Sequence, residues 1–118
     1  MRYLRASRNT NHLMKIINLT PHPVIILNKN KKVIMHLEPS GEVARVTKIT
    51  EQVDHLGAIP VSRARFGKIK GLPDAGRNCV YVVSKMVHEA AKGRTDLYYP
   101  AEKVREGNRV IGCRSLGI

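Results

Sequence analysis

The stretch K-I-I-N-L-T-P-H-P-V-I-I-L, residues 15–27, decides how the rest of the chain is read. Ile16, Ile17 and Leu19 form a short run of strand character. Thr20-Pro21-His22-Pro23 stops it, because each proline fixes its φ and withholds a backbone donor. Val24–Leu27 resumes as a second strand, Asn28–Lys31 supplies turn residues, and Val33–Leu37 returns, which predicts a hairpin. Asn18 and Thr20 stand at the strand end, where short polar side chains cap a turn. His22, held between two prolines, is placed to face a pocket.

The same texture continues downstream. Pro39-Ser40-Gly41 makes a turn before a strand over Val43–Ile49, and polar Glu51–Leu56 reads as a loop. Ile59–Val61, Ala64–Ile69 and Val80–Val83 follow as β segments, with Gly67, Gly71, Pro73 and Gly76 between them. Ser84 is placed to cap a helix over Lys85–Lys92 that ends at Gly93 and packs through Met86, Val87, Ala90 and Ala91. Leu97–Tyr99 is a strand ended by Pro100, and Lys103–Arg105 and Arg109–Cys113 flank a Glu106-Gly107-Asn108 turn. The expected class is mainly β with one short helix (α+β), built as a small antiparallel sandwich or barrel-like sheet. Residues 14–118 form one sheet-rich domain. Residues 1–13, with Arg2, Arg5 and Arg8 and no acid, read as a flexible basic extension that contributes little to the fold.

Charge is the strongest global clue. In 118 residues, 21 Lys and Arg face 9 Asp and Glu, a formal net charge of +12. Such a surface attracts anions: nucleic-acid backbone, nucleotides, an acidic protein or an anionic membrane face. Aromatic residues make up 4% of the chain and Trp is absent, which argues against single-strand binding by base stacking. No apolar run approaches the roughly 18 residues of a helical membrane span, so a soluble protein with no membrane partner is expected, and residues 1–13 lack the apolar centre of a secretory signal, so the chain reads as cytoplasmic, in a host cell if viral. Two cysteines, Cys79 and Cys113, cannot build a disulfide framework, and Cys113 reads as a small buried hydrophobe.

Enzymatic motifs are missing. The chain contains no G-x-S-x-G, H-E-x-x-H, P-loop or G-x-G-x-x-G string, and His12, His22, His36, His55 and His88 follow no metal-ligand spacing. The reading is therefore a non-enzymatic binder with no cofactor and no metal. Its candidate ligand residues are Arg63 and Arg65, two apart on one strand face, then Arg94 with Asp96, and Arg109 and Arg114 near the C-terminus. Guanidinium forks suit phosphate oxygens, and one carboxylate among them suits ribose or base polar groups. The premise is that these side chains converge on one cavity. Sheet edges left open in so small a chain also point to a homo-oligomer.

Asn18-Leu19-Thr20-Pro21-His22, Tyr81-Val82-Val83-Ser84, Gly93-Arg94-Thr95-Asp96-Leu97 and Val110-Ile111-Gly112-Cys113-Arg114-Ser115-Leu116 together resemble a family of small phage and prophage proteins that begin with N-L-T-P-H. The resemblance spans about residues 14–116 and implies a viral or prophage setting. By analogy with phage proteins that sequester nucleotide signals of host defence, the expected function is to hold a phosphate-bearing, nucleotide-like ligand without turning it over. The alternatives are a nucleic-acid-binding accessory protein with a basic face, and an inhibitor or adaptor of an acidic partner protein.

Overall fold

The computed structural model describes residues 2–5 and 13–118. Among these the elements run β1 (Arg2–Arg5), β2 (Leu13–Asn18), β3 (Val24–Leu27), β4 (Val33–Leu37), β5 (Lys48–Leu56), β6 (Ile59–Phe66), β7 (Cys79–Val82), α1 (Lys85–Ala90), β8 (Leu97–Glu106) and β9 (Arg109–Gly117). The chain is mainly β with one short helix, as its turn spacing implies. Seven strands form one sheet in the order β1-β2-β7-β8-β9-β3-β4, and β5 and β6 pair only with each other. No helix among the described residues is long and apolar enough to cross a membrane.

The pairing is mixed, where the sequence led us to expect an antiparallel sheet. β2–β7, β7–β8 and β3–β9 are parallel. Parallel neighbours need a crossover, and α1 supplies the one between β7 and β8. Local turn residues announce hairpins but carry no record of which distant strands will meet. Past β4 the chain turns back, so that Pro39 bridges Asn18 in parallel and the Ser40 N–H donates to the Asn18 carbonyl at 2.9 Å. This contact curls the sheet until its β4 side meets the end of β2.

Both faces of the curled sheet are covered. Ile16, Val24, Leu37, Val82 and Cys113, from five different strands, pack together as one cluster. Leu19, Tyr81, Val83 and Leu97 form the other with Ala44 and with Val87 of α1. Consecutive residues of β7 divide between the two, which is the period of two that a strand buried on both sides requires. The helix is short and held by packing. Ser84 caps it, accepting from the Val87 N–H at 3.2 Å, and the helix stops at Ala90, two residues before the expected end. Val87 is its buried residue, whereas Met86 stays 41% exposed.

Asn18 is only 2% exposed and uses its whole side chain. Its Nδ2 donates to the His22 carbonyl at 2.9 Å and the Leu37 carbonyl at 3.0 Å. Its Oδ1 accepts from the Thr20 N–H at 2.9 Å and the Thr20 hydroxyl at 2.7 Å. The expected cap of the Pro21–Pro23 turn is therefore present, and it also ties that turn to the end of β4. Across the sheet, β9 passes close to β3 at Gly112, where a Cβ would lie 2.7 Å from the Ile25 carbonyl oxygen.

Several expected boundaries move. Glu51–Leu56 belongs to β5 and is not a loop, and β6 runs unbroken from Ile59 to Phe66, because each half supplies the other's backbone partners. β8 continues through Pro100, which lies where β8 has left β7 and a missing donor costs nothing on that side. Arg2–Arg5, assigned to an extension outside the fold, pairs with β2, while residues 1 and 6–12 lie outside the described residues. The β5–β6 hairpin makes the molecule long, 59 × 38 × 28 Å, with a radius of gyration of 17.3 Å where a compact chain of this length gives about 13 Å.

Asn18→Ala removes the donor to the Leu37 carbonyl and the acceptor of the Thr20 N–H, leaving the His22 carbonyl only the Thr20 hydroxyl, so we expect a loss of about 2–4 kcal/mol in urea unfolding, with Thr20→Ala costing less. Gly112→Ala should destabilise by about 1–3 kcal/mol, because its Cβ meets backbone that cannot move without parting β3 from β9.

Candidate anion-binding groove

Where the Pro21–Pro23 turn passes over the outer core, three segments meet. The Ala44 N–H donates to the Leu19 carbonyl at 3.0 Å, which anchors residues 43–47 beside that turn. Residues 67–70 run antiparallel to them: Arg45 and Lys70 exchange N–H···O bonds of 2.8 Å each, and the Gly67 N–H donates to the Thr47 carbonyl at 2.7 Å. Gly71 follows with φ +78°, and a Cβ there would run into the Val43 carbonyl. The start of α1 closes the third side. The result is an open groove of 510 Å³ lined by Pro21, Arg45, Thr47, Lys68, Lys70, Ser84 and Met86 along with Val43, Ala44 and Val46.

Its electrostatics are one-sided. Three cations line the groove and no acid does. Arg45 and Lys70 are direct cross-strand partners, so their side chains leave the same face as neighbours. Like charges in that position are destabilising unless an anion lies between them. Among the described residues no ion pair engages Arg45, Lys68 or Lys70. Hydroxyls of Thr47 and Ser84 stand beside them as neutral hydrogen-bonding groups.

The residues singled out from the sequence do not converge. Arg63 and Arg65 lie on β6 in the projecting hairpin, exposed, with Glu51 3.4 Å and 3.9 Å away. Arg109 starts β9 at the tip of the β8–β9 hairpin, and Arg114 is exposed further along the same strand. Arg94 and Asp96 do meet, but they meet each other: Nε to Oδ1 at 2.8 Å and Nη2 to Oδ2 at 2.9 Å. Nη2 also donates to the Pro73 carbonyl at 3.0 Å. The fork expected to take a ligand is thus spent on fastening the loop before β7 to the start of β8. This mutual hydrogen bonding raises the Arg94 pKa and lowers that of Asp96, in each case against the opposing effect of burial.

Two other cavities carry less charge logic. One, of 380 Å³, lies beside α1 with Lys85, His88, Lys92 and Arg94, but Glu89 shares it. The Tyr99 ring there is covered by His88, centroids 4.9 Å apart, and by Lys85 Nζ at 5.9 Å. The other, of 290 Å³, is mostly apolar and is lined by His22, Pro23, Ile25, Lys103 and Cys113, so His22 does face a pocket. Burial pushes the Cys113 thiol up, away from a thiolate nucleophile. Among the described residues no three His, Cys, Asp or Glu side chains are grouped to hold a metal.

The groove cations were legible in one respect. Lys68-Ile69-Lys70 alternates, with Ile69 packed on the core, and Arg45 lies between core-facing Ala44 and Val46. Alternation of that kind points the charged residues outward together. That the two strings are neighbours is information only the fold holds.

Arg94→Ala should cost about 1.5–3 kcal/mol at neutral pH, the range for a charge-assisted hydrogen bond that is partly buried. Because Asp96 is depressed, its contribution is complete above the ordinary carboxylate range, about pH 4, and fades as pH falls through the folded value. Urea midpoints of the wild type and Arg94→Ala should therefore converge on acidification.

No protein-family model matches the chain, and neither the curated proteins nor the solved structures provide a match to it.

Proposed function

We propose that this chain is a non-enzymatic nucleic-acid-binding protein that holds the phosphate backbone in the groove of Arg45, Lys68 and Lys70. The observation that carries this reading is the bridged Arg45–Lys70 pair, two like charges on one face with no acid in the groove. A row of phosphates answers such a pair, and counterion release gives the binding free energy. Exposed Arg109 and Arg114 elsewhere on the surface fit an extended polyanion better than a compact one. The scarcity of aromatic side chains favours backbone contacts over base stacking.

A second reading keeps a nucleotide-like small ligand in the same groove. Its volume of 510 Å³ falls in the range of small-molecule sites, about 300–1,000 Å³, and two hydroxyls adjoin the cations. Sequestration of a phage-targeted host-defence signal belongs to this reading and rests on the N-L-T-P-H resemblance. Arg63, Arg65, Arg94, Asp96, Arg109 and Arg114 do not line a common cavity among these three, so this reading rests on the groove alone.

Fluorescence anisotropy with a short duplex across about 50–200 mM salt separates the two. Backbone binding predicts affinity that falls linearly in log–log form, and Arg45→Ala/Lys70→Ala should weaken it at least tenfold and reduce the slope by about two. Salt-insensitive or absent duplex binding, with a thermal midpoint raised by one mononucleotide or cyclic nucleotide, would instead establish the second reading.

A further inference from the structure

The β5–β6 hairpin has no part in the groove chemistry, and its composition sets it apart from the rest of the surface. β6 is regular, so Ile59, Val61, Arg63 and Arg65 share one face, joined across the pair by Leu56, Asp54, Glu51 and Ile49. The distal half of that face is apolar apart from Asp54: Leu56 and Ile59, directly paired, are 67% and 65% exposed, and Val53 at the register shift is 47% exposed. The proximal half carries both signs, with Glu51 between Arg63 and Arg65. A two-stranded hairpin is marginal in water by itself and needs cover on one face.

We propose that this face is a self-association surface, and that its occupant is the same face of a second copy of the chain. Charge selects that occupant. Residues 48–66 carry three cations and two acids, net +1, whereas the whole chain carries +12, so two copies meeting through the hairpin bring little of that charge together. A face with apolar side chains at one end and both charges at the other is self-complementary about a two-fold axis: Leu56, Ile59 and Val61 bury against their equivalents, and Glu51 and Asp54 meet Arg63 and Arg65 of the other copy. The surface shares no residue with the groove of Arg45, Lys68 and Lys70, so the proposal is independent of the ligand.

Sedimentation equilibrium across a wide concentration range tests it. The wild type should be a dimer, and Ile59→Lys should weaken dimerisation at least about tenfold, the factor that corresponds to losing one buried apolar side chain, with an unchanged circular dichroism spectrum. A charge exchange gives the second arm. Glu51→Arg and Arg63→Glu should each sediment as monomers, and an equimolar mixture should form the heterodimer, because only there do opposite charges face each other. A monomeric wild type, an Ile59→Lys dimer of undiminished strength, or a mixture that stays monomeric would overturn the proposal; binding of an acidic partner protein by a monomeric wild type would do so as well.

Discussion

Four hydrogen bonds on one buried amide hold the architecture together. Asn18 ends β2, and its side chain reaches the turn that follows and the last residue of β4, while its carbonyl takes the Ser40 N–H. A buried amide is costly unless all its donors and acceptors are used, so the site tolerates only the geometry that uses them. That geometry is a sheet curled far enough for Pro39 to reach β2. Thr20, Pro21 and Pro23 contribute by restricting the turn to shapes in which the His22 carbonyl is free to accept from Asn18.

From this closure the rest follows by position. Curling places the apolar residues of five strands on one inner cluster and leaves the other face to α1 and the segment around Ala44. The Leu19 carbonyl, next to Asn18, takes the Ala44 N–H and so fixes the base of the β5–β6 hairpin. Arg45, one residue on, comes to lie across from Lys70. A structural motif thereby sets out a cationic groove without contributing a charge to it.

Basicity is distributed unequally by consequence. Arg94 carries the most elaborate hydrogen bonding of any arginine among the described residues, and that is why it serves structure: its donors are occupied by Asp96 and Pro73. Among the described residues the groove cations carry no such partner. A guanidinium two residues from a carboxylate looks like a ligand clamp in the sequence and closes on its neighbour in the fold, since a partner already at hand outcompetes one that must be captured from solution. Arg63 and Arg65 share one strand face, yet Glu51 lies directly across from Arg63 within ion-pair distance.

Local chemistry along the chain sufficed for the class of the fold, most turns, the Ser84 cap, the Gly107 hairpin and the capping role of Asn18 and Thr20, because each depends on residues within a few positions of one another. It also sufficed for the overall charge, which is a sum and needs no geometry. The parallel pairings, the closure at Pro39 and the meeting of Arg45 with Lys70 were decided in three dimensions alone. Each brings together residues whose separation along the chain leaves no local trace, and the free energy that selects them is the burial of two apolar faces at once rather than the preference of any single segment.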